Sequence, residues 1–326
     1  MARRAAVLAL AIAGPAAAGL ACGHRSDAPV TGSAAAPGSA AAPAPAGSAA
    51  PNAPAGSAAS GCQQLPFAAS TPVPEASGAA WIDVDGKPAL LVVGDSGNHG
   101  AYGIVDPETG ATGETGRLPL SDAVSDDIEG VSARGDRIFG LTSSGWVLTW
   151  RRHPGGFDLI EPPYPLGPVD APRAMACRGR GINCGRNYEG LCLAPAPRTG
   201  SPGGCVGFAA SKTDGALYCL TEEAGALVAH ADRAIRVVGH EALSDCAFGD
   251  DGTLWAGSNL FDLSRVYRIA RWDDPAAAQV ERIGSLPVGF PEVIAVRGDV
   301  VYRMSDMGGS PSLMARFRCP RYAGTP

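Results

Sequence analysis

Five acidic residues recur along the chain, each leading into small or apolar residues. The stretches are Glu75-Ala-Ser-Gly, Glu129-Gly-Val, Glu189-Gly-Leu, Asp245-Cys-Ala and Glu292-Val-Ile. Carboxylates gathered in one place repel one another, so they must bind a cation, take up protons or pair with arginines. Oxygen-only ligands around a roomy axis suit calcium better than magnesium or zinc. Glu75, Glu129, Glu189, Asp245 and Glu292 are therefore candidate ligands for Ca²⁺ or a cationic molecule. The competing reading is structural: each acid accepts backbone N–H bonds from a neighbouring strand and fastens the fold. His99 shares a turn with Asp95 and Asn98. It is a candidate general base or ligand, or else a solvated loop histidine. Asp126 and Asp127 add further acid just before Glu129.

No complete catalytic set accompanies these residues. Gly94-Asp95-Ser96-Gly97 is the nucleophile stretch of trypsin-like proteases in outline, but the one histidine before it is His24. The same Gly-Asp-Ser lacks the downstream D-x-x-H that a GDSL-type esterase needs. Arg134-Gly-Asp136 and Arg297-Gly-Asp299 read as strand-connecting turns, where Gly-Asp is favoured. Neither H-E-x-x-H nor a P-loop occurs.

The elements that must position the acids repeat with them. After each acid-led stretch comes a polar turn, then an apolar strand. These strands are Leu90-Leu-Val-Val-Gly, Ile138-Phe-Gly-Leu-Thr, Leu217-Tyr-Cys-Leu-Thr, Leu254-Trp-Ala-Gly-Ser and Val300-Val-Tyr-Arg-Met-Ser. A third strand follows in each unit and, in four of the five, a fourth; in the third unit they are Leu227-Val-Ala-His and Ile235-Arg-Val-Val. Four short strands per unit of roughly 50 residues is the signature of a propeller blade. The fifth unit lacks its fourth strand, and Gln64-Leu-Pro-Phe near the start can supply it. That is the closure that leaves no open sheet edge. The expectation is an all-β, five-bladed β-propeller closed by an N-terminal strand. A six-bladed ring is the fallback, since residues 160–186 could hold a further blade; the segment reads otherwise as a long loop.

Composition sets the context. The 326 residues carry a net charge of −6, and only Lys87 and Lys212 are lysines, which argues against a nucleic-acid binder. No apolar run reaches the roughly 20 residues that span a membrane. Residues 1–21 have Arg3, Arg4 and a short apolar stretch, as an export signal does. Gly19-Leu20-Ala21-Cys22 resembles a bacterial lipobox, which implies lipidation of Cys22; cleavage as an ordinary signal is the alternative. Residues 22–60 are a tether of Ala, Pro, Gly and Ser, too poor in large apolar groups to fold. Residues 61–326 form the folded domain.

Eight further cysteines suit an exported protein with disulfides. Cys62 and Cys319 lie at the two ends of the ring seam and are expected to pair. Cys177 and Cys184 are close in one loop and are paired next. The partners of Cys192, Cys205, Cys219 and Cys246 stay open.

Several stretches carry family resemblances. Glu75-Ala-Ser-Gly followed by Leu-Val-Val-Gly-Asp95-Ser-Gly resembles exported bacterial propellers of the SdiA-regulated type. Asp127-Ile-Glu129-Gly-Val and Asn187-Tyr-Glu189-Gly-Leu resemble repeats of esterase-like phytases. Asp245-Cys-Ala-Phe-Gly-Asp-Asp-Gly-Thr-Leu-Trp is similar to one blade of gluconolactonase and senescence-marker propellers. The last resemblance implies calcium or zinc in a central site, with Glu75 and Asp245 among the ligands; its asparagine ligand has no match here.

Two functions follow as expectations. One is a lipid-anchored envelope module, monomeric, whose disc face binds a partner protein or small ligand. It would touch the membrane through its anchor alone, at the outer membrane or facing the periplasm. The other is a Ca²⁺-dependent hydrolase of lactones, esters or phosphoesters that uses the acid ring.

Overall fold

The computed structural model describes residues 61–167, 185–195, 204–237, 239, 241–259 and 264–320. Two strands open the chain, β1 (Gln63–Leu65) and β2 (Ser70–Pro74). Blade one is β3 (Ala76–Val84), β4 (Lys87–Gly94), β5 (Ala101–Val105) and β6 (Thr112–Arg117). Blade two is β7 (Ile128–Arg134), β8 (Arg137–Thr142), β9 (Trp146–His153) and β10 (Gly156–Leu159), with β11 (Tyr164–Pro165) also on β9. Blade three is β12 (Tyr188–Leu193), β13 (Gly207–Ser211), β14 (Ala216–Glu223) and β15 (Ala226–Arg236). Blade four is β16 (Leu243–Phe248), β17 (Leu254–Ser258), β18 (Arg265–Ala270) and β19 (Gln279–Ser285). Blade five is β20 (Phe290–Arg297), β21 (Val300–Asp306) and β22 (Pro311–Arg318), completed by β1. The strands pair antiparallel throughout, and the first strand of each blade contacts that of the next around the ring. The fold is a five-bladed β-propeller.

Burial explains the sequence pattern. Leu90, Leu91, Val92 and Val93 are all fully buried, because a blade is covered on both faces and its middle strand needs no polar side. The outermost β6, Thr-Gly-Glu-Thr-Gly-Arg, is half-buried or exposed along its length. The core is divided into five clusters, one between each pair of adjacent blades. Asp85-Gly86 and Ala224-Gly225 each place two successive residues at positive φ, as a two-residue hairpin turn requires.

β1 pairs with β22 from Gln63↔Arg318 to Leu65↔Arg316, and the Cys62–Cys319 disulfide locks that seam as the sequence suggests. Cys192–Cys246 joins the inner strands of blades three and four, and Cys205–Cys219 lies within blade three. Cys177 and Cys184 lie outside the described residues. Cys22 and the expected signal and tether do so too. These disulfides point to an oxidising, exported environment.

Blade three departs from expectation. Its second strand is Gly207–Ser211, so Leu217-Tyr-Cys-Leu-Thr is third. Leu227-Val-Ala-His and Ile235 share the single strand β15, which follows β14 from Glu223↔Ala226 to Ala216↔Arg236 across one irregularity. Two expected strands merge because nothing between them turns the chain.

Candidate cation site at the channel mouth

Each inner strand begins with a β-bulge, and the bulge sets which side chain faces the channel mouth. The register slips at Ser77 in β3, at Glu129 in β7, at Glu189 in β12, at Ser244 in β16 and at Glu292 in β20. A bulge leaves one residue out of the ladder and re-aims its side chain. Glu129, Glu189 and Glu292 are thus structurally equivalent. Glu75 and Asp245 are not their equivalents, and this corrects the expected ring. Glu75 stands two residues before its bulge, opposite Asp95, as Asp127 stands opposite Ser143. Its carboxylate accepts from Asn98 Nδ2 at 2.8 Å. Asp245 stands one residue after its bulge.

That next position has its own logic. In three blades it is glycine: Gly78, Gly130 and Gly190. A Cβ on Gly130 would lie 2.2 Å from Leu191 N, and one on Gly190 would lie 2.7 Å from the Asp245 Cα. Inner strands approach so closely there that only glycine fits. Asp245 fills the corresponding gap between blades four and five. Its Oδ1 accepts from Cys246 N at 2.7 Å and its Oδ2 from Ile294 N at 3.0 Å. Both oxygens are used by backbone, as the structural reading of the acids expects. Burial nevertheless raises the Asp245 carboxyl, against those bonds and the charge of Arg303.

The ends of the second strands and the loops after them complete the mouth. They supply Asp95, Ser143, Lys212, Asn259 and Asp306, from five different blades. Carboxylate oxygens of Asp95, Asp127 and Glu129 lie within 4.8 Å of one another, and so do those of Glu129, Glu189 and Glu292. Glu129 belongs to both groups. Lys212 Nζ lies 2.7 Å from Glu189 Oε2 and 3.6 Å from Glu292 Oε1. Asn187 Nδ2 donates to Glu189 Oε1 at 2.8 Å, and Asn259 Nδ2 to Glu292 Oε1 at 2.6 Å. Ser143 Oγ donates to Asp127, and Ser96 N to Asp95. Glu129 is 4% exposed, and its carboxylate has no hydrogen bond or ion pair among the described residues.

Electrostatics follow from this packing. Burial raises Asp95 to about 7, with Asp127 and Glu292 adding to the shift against the Ser96 N–H. Burial raises Glu189 to about 8, although Lys212 opposes the shift. Glu129 is pushed well up by burial and then by Glu189, Asp95, Asp127 and Glu292. Glu292 is raised by burial, again against Lys212. Burial lowers the Lys212 ammonium, but Glu292 and Glu189 outweigh it and hold the group charged.

His99 belongs to neither acidic group. It is 70% exposed, with Nδ1 3.3 Å from Asp126 Oδ2, whose oxygen also accepts from Gly97 N and His99 N. The residues that sequence reasoning passed over are Lys212, Asn187 and Asn259; Asp95 and Asp127 were visible only as nearby acid. The signal for Lys212 is its place directly after a second strand, where blade one has Asp95.

The donors are oxygens, without a thiolate or imidazole among the described groups, and this fits a hard cation such as Ca²⁺ rather than Zn²⁺. Glu129 is their shared member. The Lys212 ammonium occupies the Glu189–Glu292 half, and Glu129, grouped with Asp95 and Asp127, is the carboxylate on which a metal ion would centre.

No protein-family model matches the chain. No curated protein matches it either. Among solved structures it is similar to Myxococcus xanthus glutaminyl cyclase, at 14% identity over 80% of this chain and 97% of that one, TM-score 0.47. It is similar to Staphylococcus aureus virginiamycin B lyase, at 13% identity over 74% and 80%, TM-score 0.40. It is also similar to regucalcin, a calcium-binding protein from Agrobacterium tumefaciens, at 10% identity over 78% and 96%, TM-score 0.39.

Proposed function

We propose that this chain is an exported binding module whose channel mouth holds a divalent cation of the calcium class. The cation fixes an oxygen-rich ligand or a partner's carboxylate on that face of the disc. The observation that carries the reading is Glu129: a buried carboxylate, shared by two acidic groups and without a hydrogen-bonding or ionic partner among the described residues. Burying such a charge is costly unless it is paired, protonated or bound to metal. In this reading residues 1–21 are removed, a lipid on Cys22 anchors the chain in the envelope, and residues 22–60 are the leash of a monomeric propeller.

One observation favours a hydrolytic use of the same site. Asp95 is raised to about 7, so at neutral pH it is divided between acid and base forms. A carboxyl so poised can exchange its proton for a metal ion, which would supply the Lewis acidity that ester, lactone or phosphoester hydrolysis needs.

Metal analysis of the purified chain, before and after chelation and calcium reloading, tests the reading. Stoichiometric calcium and a melting point that falls on chelation support it. A metal-free protein whose melting ignores calcium overturns it. Calcium-dependent turnover of a model ester that disappears in Asp95→Asn selects the hydrolase.

A further inference from the structure

The opposite end of the channel is lined by residues of different chemistry. There Trp81 and Ile82 of β3, Leu193 of β12, Phe248 of β16 and Val296 of β20 wall a cavity of about 430 Å³. That size lies within the roughly 300–1,000 Å³ of small-molecule sites, and the mostly apolar wall is typical of them. Trp81 is held in place, since its Nε1 donates to Val296 O at 2.9 Å. Arg297 stands at the rim, with its guanidinium 5.2 Å from the centroid of the Trp81 ring. Its side chain is exposed and has no hydrogen bond or ion pair among the described residues.

Two acids share this rim, and both are in use. Asp83 Oδ1 accepts from Gly86 N at 2.7 Å, and Asp250 Oδ1 accepts from Gly298 N at 2.8 Å. The second bond ties the turn after Arg297 to blade four. Arg297 thus places a cation over an aromatic ring, with no partner among the described residues for its side-chain N–H donors. A stacked guanidinium matches planar carboxylates with two parallel hydrogen bonds.

We propose that this cavity binds a small aromatic or aliphatic carboxylate. Its apolar body lies against Trp81, Phe248 and Val296, and its carboxylate pairs with Arg297. The site is independent of the acidic mouth.

Titration of the purified chain with 2-naphthoate, followed by tryptophan fluorescence and calorimetry, tests the proposal. Its neutral analogue 2-naphthalenemethanol serves as competitor. The expected result is saturable binding of one naphthoate, with the alcohol competing more weakly. Arg297→Gln should weaken naphthoate about tenfold or more and leave the alcohol unchanged. Chelating calcium should change neither. Absence of saturable naphthoate binding overturns the proposal, and so does equal affinity in Arg297→Gln. Loss of naphthoate on chelation would put it at the acidic mouth and overturn it as well.

Discussion

Lys212 Nζ lies 2.7 Å from Glu189 Oε2 and 3.6 Å from Glu292 Oε1, so the chain supplies its own cation to one half of the acid cluster. Glu129 itself receives none among the described residues. Lys212→Met removes the resident charge and leaves two buried carboxylates facing each other. The side chain of Lys212 is 32% exposed, so the loss is set below that of a fully buried pair, at about 2 kcal/mol. Denaturant unfolding without calcium measures it. Calorimetry should then find a second calcium in the variant, bound where the ammonium stood.

The cluster gives apoprotein stability a definite pH slope. Glu189 is raised from 4.5 to about 8 and Asp95 from 3.8 to about 7. Between their ordinary and folded values the native chain holds protons that the unfolded chain has lost. Their contribution is therefore complete at low pH and is lost as pH rises toward 8. Guanidinium unfolding of calcium-free protein should show stability falling from pH 5 to pH 8. Saturating calcium should flatten the slope, and its binding at pH 7 should release protons.

Close strand approach at the channel predicts an unequal cost for two glycines. Gly130→Ala sets a Cβ 2.2 Å from backbone nitrogen of the next blade and should cost about 3 kcal/mol. Gly86→Ala meets no atom within 4 Å, but φ there is +76°, and it should cost about 1–2 kcal/mol. Thermal melts of the two variants compare them directly.

The seam disulfide closes a loop of sequence separation 257, which constrains the unfolded chain strongly. Replacing Cys62 and Cys319 by alanine should cost about 4–5 kcal/mol. Chemical unfolding of the double variant checks this, with a Cys205→Ala, Cys219→Ala pair, separation 14, losing less.

The blade count and the ring closure were legible because apolar strand, polar turn and small residue recur in phase. The Glu-Gly pair made Glu129 and Glu189 legible as well, since the bulge aims the acid and the glycine admits the next strand. Glu75 was misleading: an acid two residues before a bulge looks the same in sequence as one at it. Asp245 was misleading for the opposite reason, because Ser244 holds the bulge and the aspartate fills the gap beyond. Lys212 has no local signal, because Leu217-Tyr-Cys-Leu-Thr reads as the second strand of blade three and hides the strand Gly207–Ser211 that ends beside it. The unpartnered state of Glu129 depends on side chains from four blades and has no local signature.

Isothermal titration of chelated protein with calcium at pH 8, run in parallel on Glu129→Gln, tests the cation site most directly. One calcium per chain is expected, with affinity lower by about 10-fold or more in the variant, as removal of a ligand charge requires. Calcium-free Glu129→Gln should melt above the calcium-free parent, because a buried repulsion is gone. Calcium binding of equal strength in both proteins, or in neither, would contradict the cation site.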